Sequence, residues 1–281
     1  MTTIIDGKKV SKEILEEIKA EVATLKDKVV PGLAVILVGE DAGSQVYVKR
    51  KRKACADLGF YSEKYDLPVE TSEEHLLNLL DELNNKPSIH GILVQLPLPK
   101  HINEKKVIEK INPNKDVDGF HPMNQGYLLT GNPLIEPCTP KGVMELLKRY
   151  NIDMVGKTAV VIGRSNIVGK PVSIMLQREH ATVTMCHSKT KNIADVIRTA
   201  DIVVAAIGRP KFVKADMVKE GAVIIDVGMN RLDDGKLSGD VDYEGMFDKV
   251  SAITPVPGGV GPMTIAMLMK NTLEAAKASL K

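Results

Sequence analysis

The sequence predicts a parallel α/β protein with two successive α/β regions. Strand-like and helix-like segments alternate almost throughout its 281 residues, which is typical of parallel sheets and is enough chain for two domains. The segments GLAVILV and GILVQL are short and, apart from Gln95 near the end of the second, apolar, as expected of strands that are buried on both faces. Residues 97–140 are rich in Pro, Asn, Gly and Asp and separate the first alternation from the second.

The individual elements follow from apolar periodicity and from capping residues. In the first region we expect helices at residues 11–26, 44–58 and 72–84, with Ser72 as the N-cap of the third, and strands at residues 32–38, 62–67 and 91–96. The loop-rich stretch should contain helical turns at residues 104–111 and 124–129. In the second region we expect helices at residues 142–150, 171–179 and 264–279, and strands at residues 158–162, 182–186, 202–206 and 222–227.

Charge, cysteine content and hydropathy exclude several classes of protein. The net charge of +2 leaves no overall field that would attract nucleic acid, so we expect no nucleic-acid partner. No apolar run approaches the roughly 18 residues of a membrane span, and MTTIIDGKKV turns polar too early for a secretory signal. The three cysteines lack paired spacing and the six histidines lack metal-ligand spacing, which predicts a cytoplasmic protein without disulfides or a bound metal.

Five consecutive basic residues, from Lys49 to Lys53, lie on the helix predicted over residues 44–58. A helix turns by about 100° per residue, so five residues in a row surround it and cannot all face water. The apolar residues gather on one side of this helix: Tyr47, Val48, Ala54, Cys55 and Leu58. Lys51 falls at the centre of that stripe. Either its stem carries the amine out to solvent, which the stripe alone favours, or the amine lies in a pocket and acts as a general acid or base.

The segment GRSNIVG, residues 163–169, lies where a phosphate-binding loop of a Rossmann fold belongs, directly after an apolar strand and before a helix. Gly163 permits the tight turn, and the small Ser165 permits backbone to approach a pyrophosphate. The match to G-x-G-x-x-G is imperfect, because Ser replaces the second glycine and the last glycine comes one residue late. On its own the motif is weak, but its position between strand and helix favours nucleotide binding.

The end of the next predicted strand indicates which dinucleotide is bound. NAD sites usually place Asp or Glu there, on the ribose 2′-hydroxyl, whereas this sequence has CHSKT without an acid. Arg164 beside the turn and Ser188 in CHSKT suit a 2′-phosphate, which predicts NADP. Lys189 and Lys191 are more simply explained as solvated loop charges.

Three further motifs allow a structural and a functional interpretation. KDVDG, with Asp116 and Asp118, is either turn chemistry or a ligand contact through a carboxylate. Gln95 ends an apolar strand, where open α/β sheets place ligand contacts, or its amide bonds only to backbone. PVPGGVGPMT is an ordinary connector or a pre-shaped wall that brings backbone N–H groups against a ligand.

Taken together, these motifs closely resemble the bifunctional methylenetetrahydrofolate dehydrogenase/cyclohydrolase family, essentially from end to end. The segments that carry the resemblance are VGEDAGSQVYVKRKRKACADLGF, GILVQLPLP, KDVDGFHP, PCTPKGV, VVIGRSNIVGKP, TVTMCHSKT and TPVPGGVGPMT. The resemblance implies two α/β domains flanking a cleft. Residues 1–139 and 264–281 would form a discontinuous folate-binding catalytic domain, onto which the final helix packs, and residues 140–263 a Rossmann-type NADP-binding domain. It also implies a homodimer.

The resemblance implies the residues of the site as well. The catalytic set would be Lys51, Tyr47, Gln95 and Asp118. The substrate-binding set would be Tyr47, Lys51, Val94, Gln95, Leu96, Asp118, Pro255, Pro257, Gly258, Gly259, Gly261 and Met263. The cofactor-binding set would be Gly163, Arg164, Ser165, Ser188 and Met229. Met229 stands where the family commonly has Ile, a soft substitution that should matter little.

The function implied is one-carbon interconversion of tetrahydrofolate, a supply route for purine biosynthesis. NADP-dependent oxidation of 5,10-methylenetetrahydrofolate would give the methenyl cation, and hydrolysis would give 10-formyltetrahydrofolate, with Lys51 transferring protons. Two alternatives remain at this point. One is a dehydrogenase that lacks the cyclohydrolase step, and the more remote one is a nucleic-acid-binding protein that uses residues 49–53.

Overall fold

A computed structural model describes residues 1–25 and 27–280 and divides the chain into two compact units. One unit comprises Met1–Lys12 and Thr139–Thr264, and the other comprises Glu13–Cys138 and Ile265–Lys281. Each unit is built on a parallel sheet, so the predicted α/β class is confirmed.

The strands in chain order are β1 (Thr3–Ile4), β2 (Gly32–Val38), β3 (Tyr61–Leu67), β4 (Gly91–Val94), β5 (Thr158–Ile162), β6 (Thr182–Cys186), β7 (Ile202–Ala205), β8 (Val223–Asp226), β9 (Asn230–Arg231), β10 (Leu237–Ser238) and β11 (Ala252–Ile253). The helices are α1 (Gly7–Leu25), α2 (Ala42–Leu58), α3 (Glu73–Asn84), α4 (Glu104–Lys110), α5 (Pro122–Leu129), α6 (Cys138–Arg149), α7 (Gly169–Arg178), α8 (Ile193–Arg198), α9 (Tyr243–Met246) and α10 (Val260–Ala278), and Ala215–Met217 forms a short 3-10 turn.

Predicted and observed elements agree closely where the periodicity is strong. Ser72 is the N-cap of α3, since its side chain accepts a hydrogen bond from the backbone N–H of His75. The strand predicted at residues 91–96 ends at Val94, and the helix predicted from residue 264 begins at Val260, inside the PVPGGVGPMT motif. The predicted end of the first helix, Lys26, lies outside the described residues. Strands β1, β9, β10 and β11 and helices α8 and α9 were not expected from the sequence.

The sheet of the Glu13–Cys138 unit has the order β3-β2-β4, and both strand pairs are parallel. Its central strand β2 is buried along its whole length, as its unbroken apolar sequence predicts. The first strand of this sheet therefore lies between the two that follow it in the chain. This is a switch point, next to which open α/β sheets hold ligands at the carboxyl ends of the strands.

The other unit contains a six-stranded sheet in the order β1-β11-β8-β7-β5-β6. All its strand pairs are parallel, and β5 lies between β6 and β7 at a second switch point. Strand β1 pairs with β11 through Thr3 and Ala252, and Met1–Lys12 therefore groups with this unit. The boundaries that the family resemblance implies, with residues 1–139 in the first domain, remain a prediction. A two-residue strand has no periodicity that would reveal its partner.

Within the described residues, no helix combines the length and the apolar character that crossing a membrane requires.

Candidate active site and dinucleotide cavity

Lys51 lies on the buried face of α2 and is only 7% exposed. Asp41 fixes the start of this helix by accepting a hydrogen bond from Ser44, and Gly59 ends it in a left-handed conformation. Val48 and Cys55, one turn before and after Lys51, are also buried, which confirms the predicted stripe. The amine therefore does not extend to solvent.

The Nζ of Lys51 donates a hydrogen bond of 3.0 Å to Oε1 of Gln95. Gln95 follows β4, and its backbone N–H bonds to the carbonyl of Ile36 in β2, which places its side chain at the carboxyl end of the sheet. Its Nε2 donates to the carbonyl of Leu96 at 2.8 Å, so the oxygen is the atom that faces the lysine. Val94 is buried and Leu96 is half-buried at the same strand end.

Asp118 is another residue of the predicted catalytic set. Desolvation raises the pKa of its carboxyl, while the positive charge of Lys51 and a hydrogen bond from Cys138 act in the opposite direction. A lysine close enough to influence a desolvated carboxyl places both groups in one electrostatic environment. Tyr47, one turn before Lys51, is half-buried, and desolvation raises the pKa of its hydroxyl.

The two aspartates of KDVDG have different roles. Asp116 accepts hydrogen bonds from the backbone N–H groups of Phe120 and His121 and from Nδ2 of Asn124. It is 2% exposed, and desolvation raises its pKa to about 6. Asp116 thus performs the turn chemistry, whereas Asp118 is the carboxylate of the Lys51 environment.

A buried asparagine on the final helix also fixes the position of this loop. Nδ2 of Asn271 donates to the carbonyls of Val117 and Glu136, both at 2.9 Å. These carbonyls belong to the segments that carry Asp118 and Cys138. Sequence reasoning missed Asn271, because nothing local distinguishes it from a surface polar residue.

The loop after β5 has the shape expected of a phosphate-binding turn. Gly163 has φ +125°, and a Cβ there would lie 2.3 Å from the carbonyl oxygen of Ala206. A Cβ at Gly169 would lie 2.2 Å from the carbonyl oxygen of Gly163, so the late glycine is required as well. The hydroxyl of Ser165 accepts weak hydrogen bonds from the N–H groups of Val168 and Gly169 at the start of α7.

A cavity of about 330 Å³ opens at this switch point. It brings together the predicted cofactor residues Gly163, Arg164, Ser165 and Ser188. It is also lined by Ile162, His187, Ile193, Ala206, Ile207, Arg209 and Phe212. Arg164 and Ser188 are exposed, as groups that meet an anion from solvent should be. The two glycine close approaches and the cationic lining fit the phosphates and adenosine of a dinucleotide.

Arg209 is a second cation of this cavity that sequence reasoning missed. It follows β7, the neighbour of β5, and its guanidinium lies over the ring of Phe212 at 5.0 Å. The available signal was its place directly after an apolar strand, in the segment VVAAIGRP. Using that signal requires knowing that β7 and β5 are adjacent.

The PVPGGVGPMT motif forms a tight turn followed by the first turn of α10. Gly258 has φ +115°, its carbonyl accepts from the N–H of Lys8, and Gly259 donates to the carbonyl of Pro255. Pro257 is exposed. Met263 is fully buried, so in this conformation it is a packing residue.

Gly261 and Met229, assigned to the substrate and cofactor sets respectively, are close neighbours. A Cβ at Gly261 would lie 3.0 Å from Cε of Met229, and Met229 is 43% exposed. In the described part of the chain, no group of His, Cys, Asp and Glu residues is arranged to hold a metal ion.

The parallel sheet, the cation-lined cavity at its switch point and a separate polar site around a buried lysine define a dinucleotide-binding α/β enzyme. The tetrahydrofolate dehydrogenase/cyclohydrolase family matches in both its parts, the catalytic domain over residues 5–118 and the NAD(P)-binding domain over residues 137–280. The chain belongs to this family.

Individual relatives match over the whole length. The bifunctional protein FolD of Geotalea daltonii is 59% identical over 278 residues, which are 99% of each chain. The structure of the bifunctional FolD methylenetetrahydrofolate dehydrogenase/cyclohydrolase from Campylobacter jejuni superposes with a TM-score of 0.97 at 52% identity, with 99% of each chain covered. The Trypanosoma brucei dehydrogenase-cyclohydrolase, solved with NADP and an inhibitor, has a TM-score of 0.96 at 43% identity and covers 100% of this chain and 99% of its own.

These similarities confirm the family resemblance, the two-domain α/β class and the bifunctional dehydrogenase/cyclohydrolase function predicted from the sequence.

Proposed function

We propose that the chain oxidises 5,10-methylenetetrahydrofolate with NADP and hydrolyses the methenyl product to 10-formyltetrahydrofolate, with Lys51 as the proton-transferring group. One observation carries this assignment. The Lys51 amine is buried, is hydrogen-bonded to Gln95 and shares its environment with the carboxyl of Asp118. A buried amine between a neutral acceptor and a carboxyl is arranged for chemistry more than for solubility.

The two steps make different demands on the protein. In the first, the carbon that bridges N5 and N10 gives a hydride to the dinucleotide and becomes a methenyl cation, so no proton moves and positioning suffices. In the second, water adds to the cation and one C–N bond opens, which requires a proton to leave the water and a nitrogen to receive one. Lys51 performs these transfers, Gln95 orients its amine, and Tyr47 contacts the folate.

Asp118 accepts hydrogen bonds from the N–H groups of the pterin and so fixes the pose that both steps use. Val94 and Leu96, at the end of β4, line the same strand end as Gln95. Pro255, Pro257, Gly258, Gly259, Gly261 and Met263 complete the proposed substrate set. The burial of Met263 supports a role for it in shaping that segment.

NADP is the cofactor that the second cavity favours. Its lining offers the guanidinium of Arg164 and the hydroxyl of Ser188 and no carboxylate, which suits a 2′-phosphate better than a free ribose hydroxyl. Gly163, Ser165 and Met229 complete the proposed cofactor set. The folate-binding domain corresponds to the unit that contains Lys51, and the NADP-binding domain to the unit that contains β5.

We further propose a cytoplasmic homodimer. Cys55, Cys138 and Cys186 are buried, and the thiols of Cys55 and Cys138 donate hydrogen bonds, as is usual for cysteines in a reducing compartment. Within the described residues, β3 has no partner on its outer side, and such an edge is a ready surface for a second chain. Static light scattering on the purified protein tests this, and a mass of one chain at micromolar concentration would contradict it.

Nucleic-acid binding is disfavoured by the neighbours of the basic run. Lys51 is buried, and Lys53 forms an ion pair with Asp57. Lys49 and Arg52 line a surface groove that also contains Glu40, Asp66 and Glu70. These acids oppose the positive field that a phosphate backbone needs.

A single coupled assay tests the proposed function. The protein is mixed with 5,10-methylenetetrahydrofolate and NADP, and the absorbances of NADPH and of the methenyl product are followed together. We expect NADPH to form while the methenyl signal stays low, because hydrolysis removes the product. A methenyl signal that matches NADPH would indicate a dehydrogenase alone, and the absence of NADPH would refute the proposal.

A further inference from the structure

Residues 207–209, in the loop after β7, contribute to the wall of the dinucleotide cavity without belonging to a helix or strand. Ile207 and Arg209 line the cavity, and Gly208 between them has φ +64°, a left-handed conformation. A segment of this kind has no regular backbone ladder that would hold it in place. Its position must come from other groups.

One carboxylate supplies that support. Oδ2 of Asp240 accepts hydrogen bonds from the N–H groups of Ile207 at 2.6 Å and Gly208 at 3.0 Å, and Oδ1 accepts from the N–H of Arg209 at 2.8 Å. Nδ2 of Asn230 gives Oδ1 a fourth bond at 3.0 Å. Asp240 is fully buried, and a buried carboxylate is tolerated only when donors surround it as they do here.

A second buried carboxylate fixes Asp240 in turn. Asp226, at the end of β8, accepts hydrogen bonds from the N–H groups of Asp240 and Val241, both at 2.9 Å. A side chain at Gly228 would lie 2.3 Å from Oδ1 of Asp240, so the surroundings leave room for the carboxylate alone. These hydrogen bonds connect the end of β8, through Asp240, to the cavity wall. No motif in the sequence indicated this connection.

We propose that Asp240 is a positioning residue for the dinucleotide cavity: by holding the N–H groups of Ile207, Gly208 and Arg209, it sets the cavity wall and aims the Arg209 side chain at the bound dinucleotide. The inference rests on the proposed function in one respect, namely that this cavity binds NADP. Arg209 contacts the ligand directly, and Asp240 acts through Arg209 and its neighbours.

The substitution Asp240→Asn tests this with little change in volume. Each carboxylate oxygen accepts two donors, so whichever way the amide turns, its NH₂ group faces two N–H groups. We expect NADP to bind about ten-fold or more weakly by isothermal titration. Cyclohydrolase activity per folded molecule, measured on methenyltetrahydrofolate without dinucleotide, should stay within about two-fold of the original protein.

Asp242→Asn is the matched control, because its carboxylate lies two residues further on and faces Lys211 at 3.7 Å. It should bind NADP as the original protein does. If Asp240→Asn lowers both activities in proportion to the folded fraction but leaves NADP affinity unchanged, Asp240 is a structural residue only and the proposal is overturned. Failure of the original protein to bind NADP would instead refute the proposed function.

A double-mutant cycle gives a second, independent readout. Arg209 is exposed, so the Arg209→Ala protein should fold. We expect it to bind NADP about ten-fold more weakly, and we expect the Arg209→Lys protein to bind NADP with an affinity closer to that of the original protein. Because Asp240 acts partly through Arg209, the losses from Asp240→Asn and Arg209→Ala should combine to less than their product. Losses that multiply, or an Arg209→Ala protein with normal affinity, would overturn the proposal. Should Asp240→Asn not fold, Asn230→Ala replaces it in the cycle, with the same outcomes.

Discussion

The site around Lys51 and the dinucleotide cavity lie at equivalent places of two different sheets. In both, one strand lies between the two strands that follow it in the chain, β2 between β3 and β4 and β5 between β6 and β7. The polar groups differ in exposure, because Lys51 is buried, with 7% of its surface exposed, whereas Arg164 is exposed. A group that moves protons is useful when removed from water, while a group that binds a phosphate can remain hydrated until the ligand arrives.

The comparison also shows how each site is supported. A buried aspartate accepts several backbone N–H groups beside each site, Asp116 beside Asp118 and Asp240 beside Arg209. In both regions the acid that holds the loop is a different residue from the one that we propose to face the ligand. Substitutions that separate chemistry from binding therefore test this difference between the two regions.

Lys51→Met should have the largest effect, because it keeps the long stem and removes the amine. We expect cyclohydrolase activity to fall by about 10²-fold or more, the usual scale for a lost general acid–base group. Dehydrogenase activity should fall less, since hydride transfer needs no base, and methenyltetrahydrofolate should accumulate in the coupled assay. Lys49→Met and Lys53→Met are matched controls at exposed positions and should leave both activities nearly intact. Three variants that behave alike would mean that the buried amine of Lys51 takes no part in the hydrolysis step.

Asp118→Asn should impair both activities together, because both need the same folate pose. The loss of a charge-assisted hydrogen bond of about 1.5–3 kcal/mol corresponds to roughly 10- to 150-fold in folate affinity. The loop should still fold, since Asp116 and Asn271 hold it. Folate affinity would be measured by titration, together with the rates of both activities. A fully active variant would mean that the aspartates of KDVDG only stabilise the turn.

Arg164→Ala should weaken the binding of NADP and leave the binding of NAD nearly unchanged. The same range of about 1.5–3 kcal/mol applies to its contact with a 2′-phosphate, and the exposure of Arg164 places the expected loss near ten-fold in NADP affinity. NAD affinity should barely change. Equal losses for the two dinucleotides would mean that Arg164 contacts a part that both share.

The smallest effect concerns pH and stability. Burial raises the pKa of Asp116 to about 6 from its ordinary value of 3.8, so the folded protein holds this proton more tightly than the unfolded chain. The stability from this group is fully present below pH 3.8 and is lost as pH rises through about 6. On lowering pH from about 7 to about 5, the original protein should gain about 1 kcal/mol in unfolding free energy relative to Asp116→Asn.

The other unit offers the matched case, because burial also raises the pKa of Asp226 to about 6. Urea unfolding at both pH values should show that the original protein also gains unfolding free energy relative to Asp226→Asn when the pH is lowered. If the unfolding free energy changed with pH by the same amount in the original protein and in both variants, neither carboxyl would take up a proton in this pH range.

The sequence was most informative where a structural feature is local. The position of Lys51 on a buried stripe follows from helical periodicity, and the turn at Gly163 follows from a glycine between an apolar strand and a helix. The features missed depend on partners distant in the chain. Arg209 enters the cavity because β7 pairs with β5, and Asp240 reaches the segment before Arg209 through side-chain bonds that no spacing rule encodes.

The pairing of β1 with β11 constrains the order in which the chain can fold during synthesis. Thr3 leaves the ribosome long before its strand partner Ala252 does. Asn271, which ties down the segment around Asp118, emerges later still. Both units therefore wait for the same late stretch of polypeptide, so nascent chains stalled before it would hold neither site in finished form.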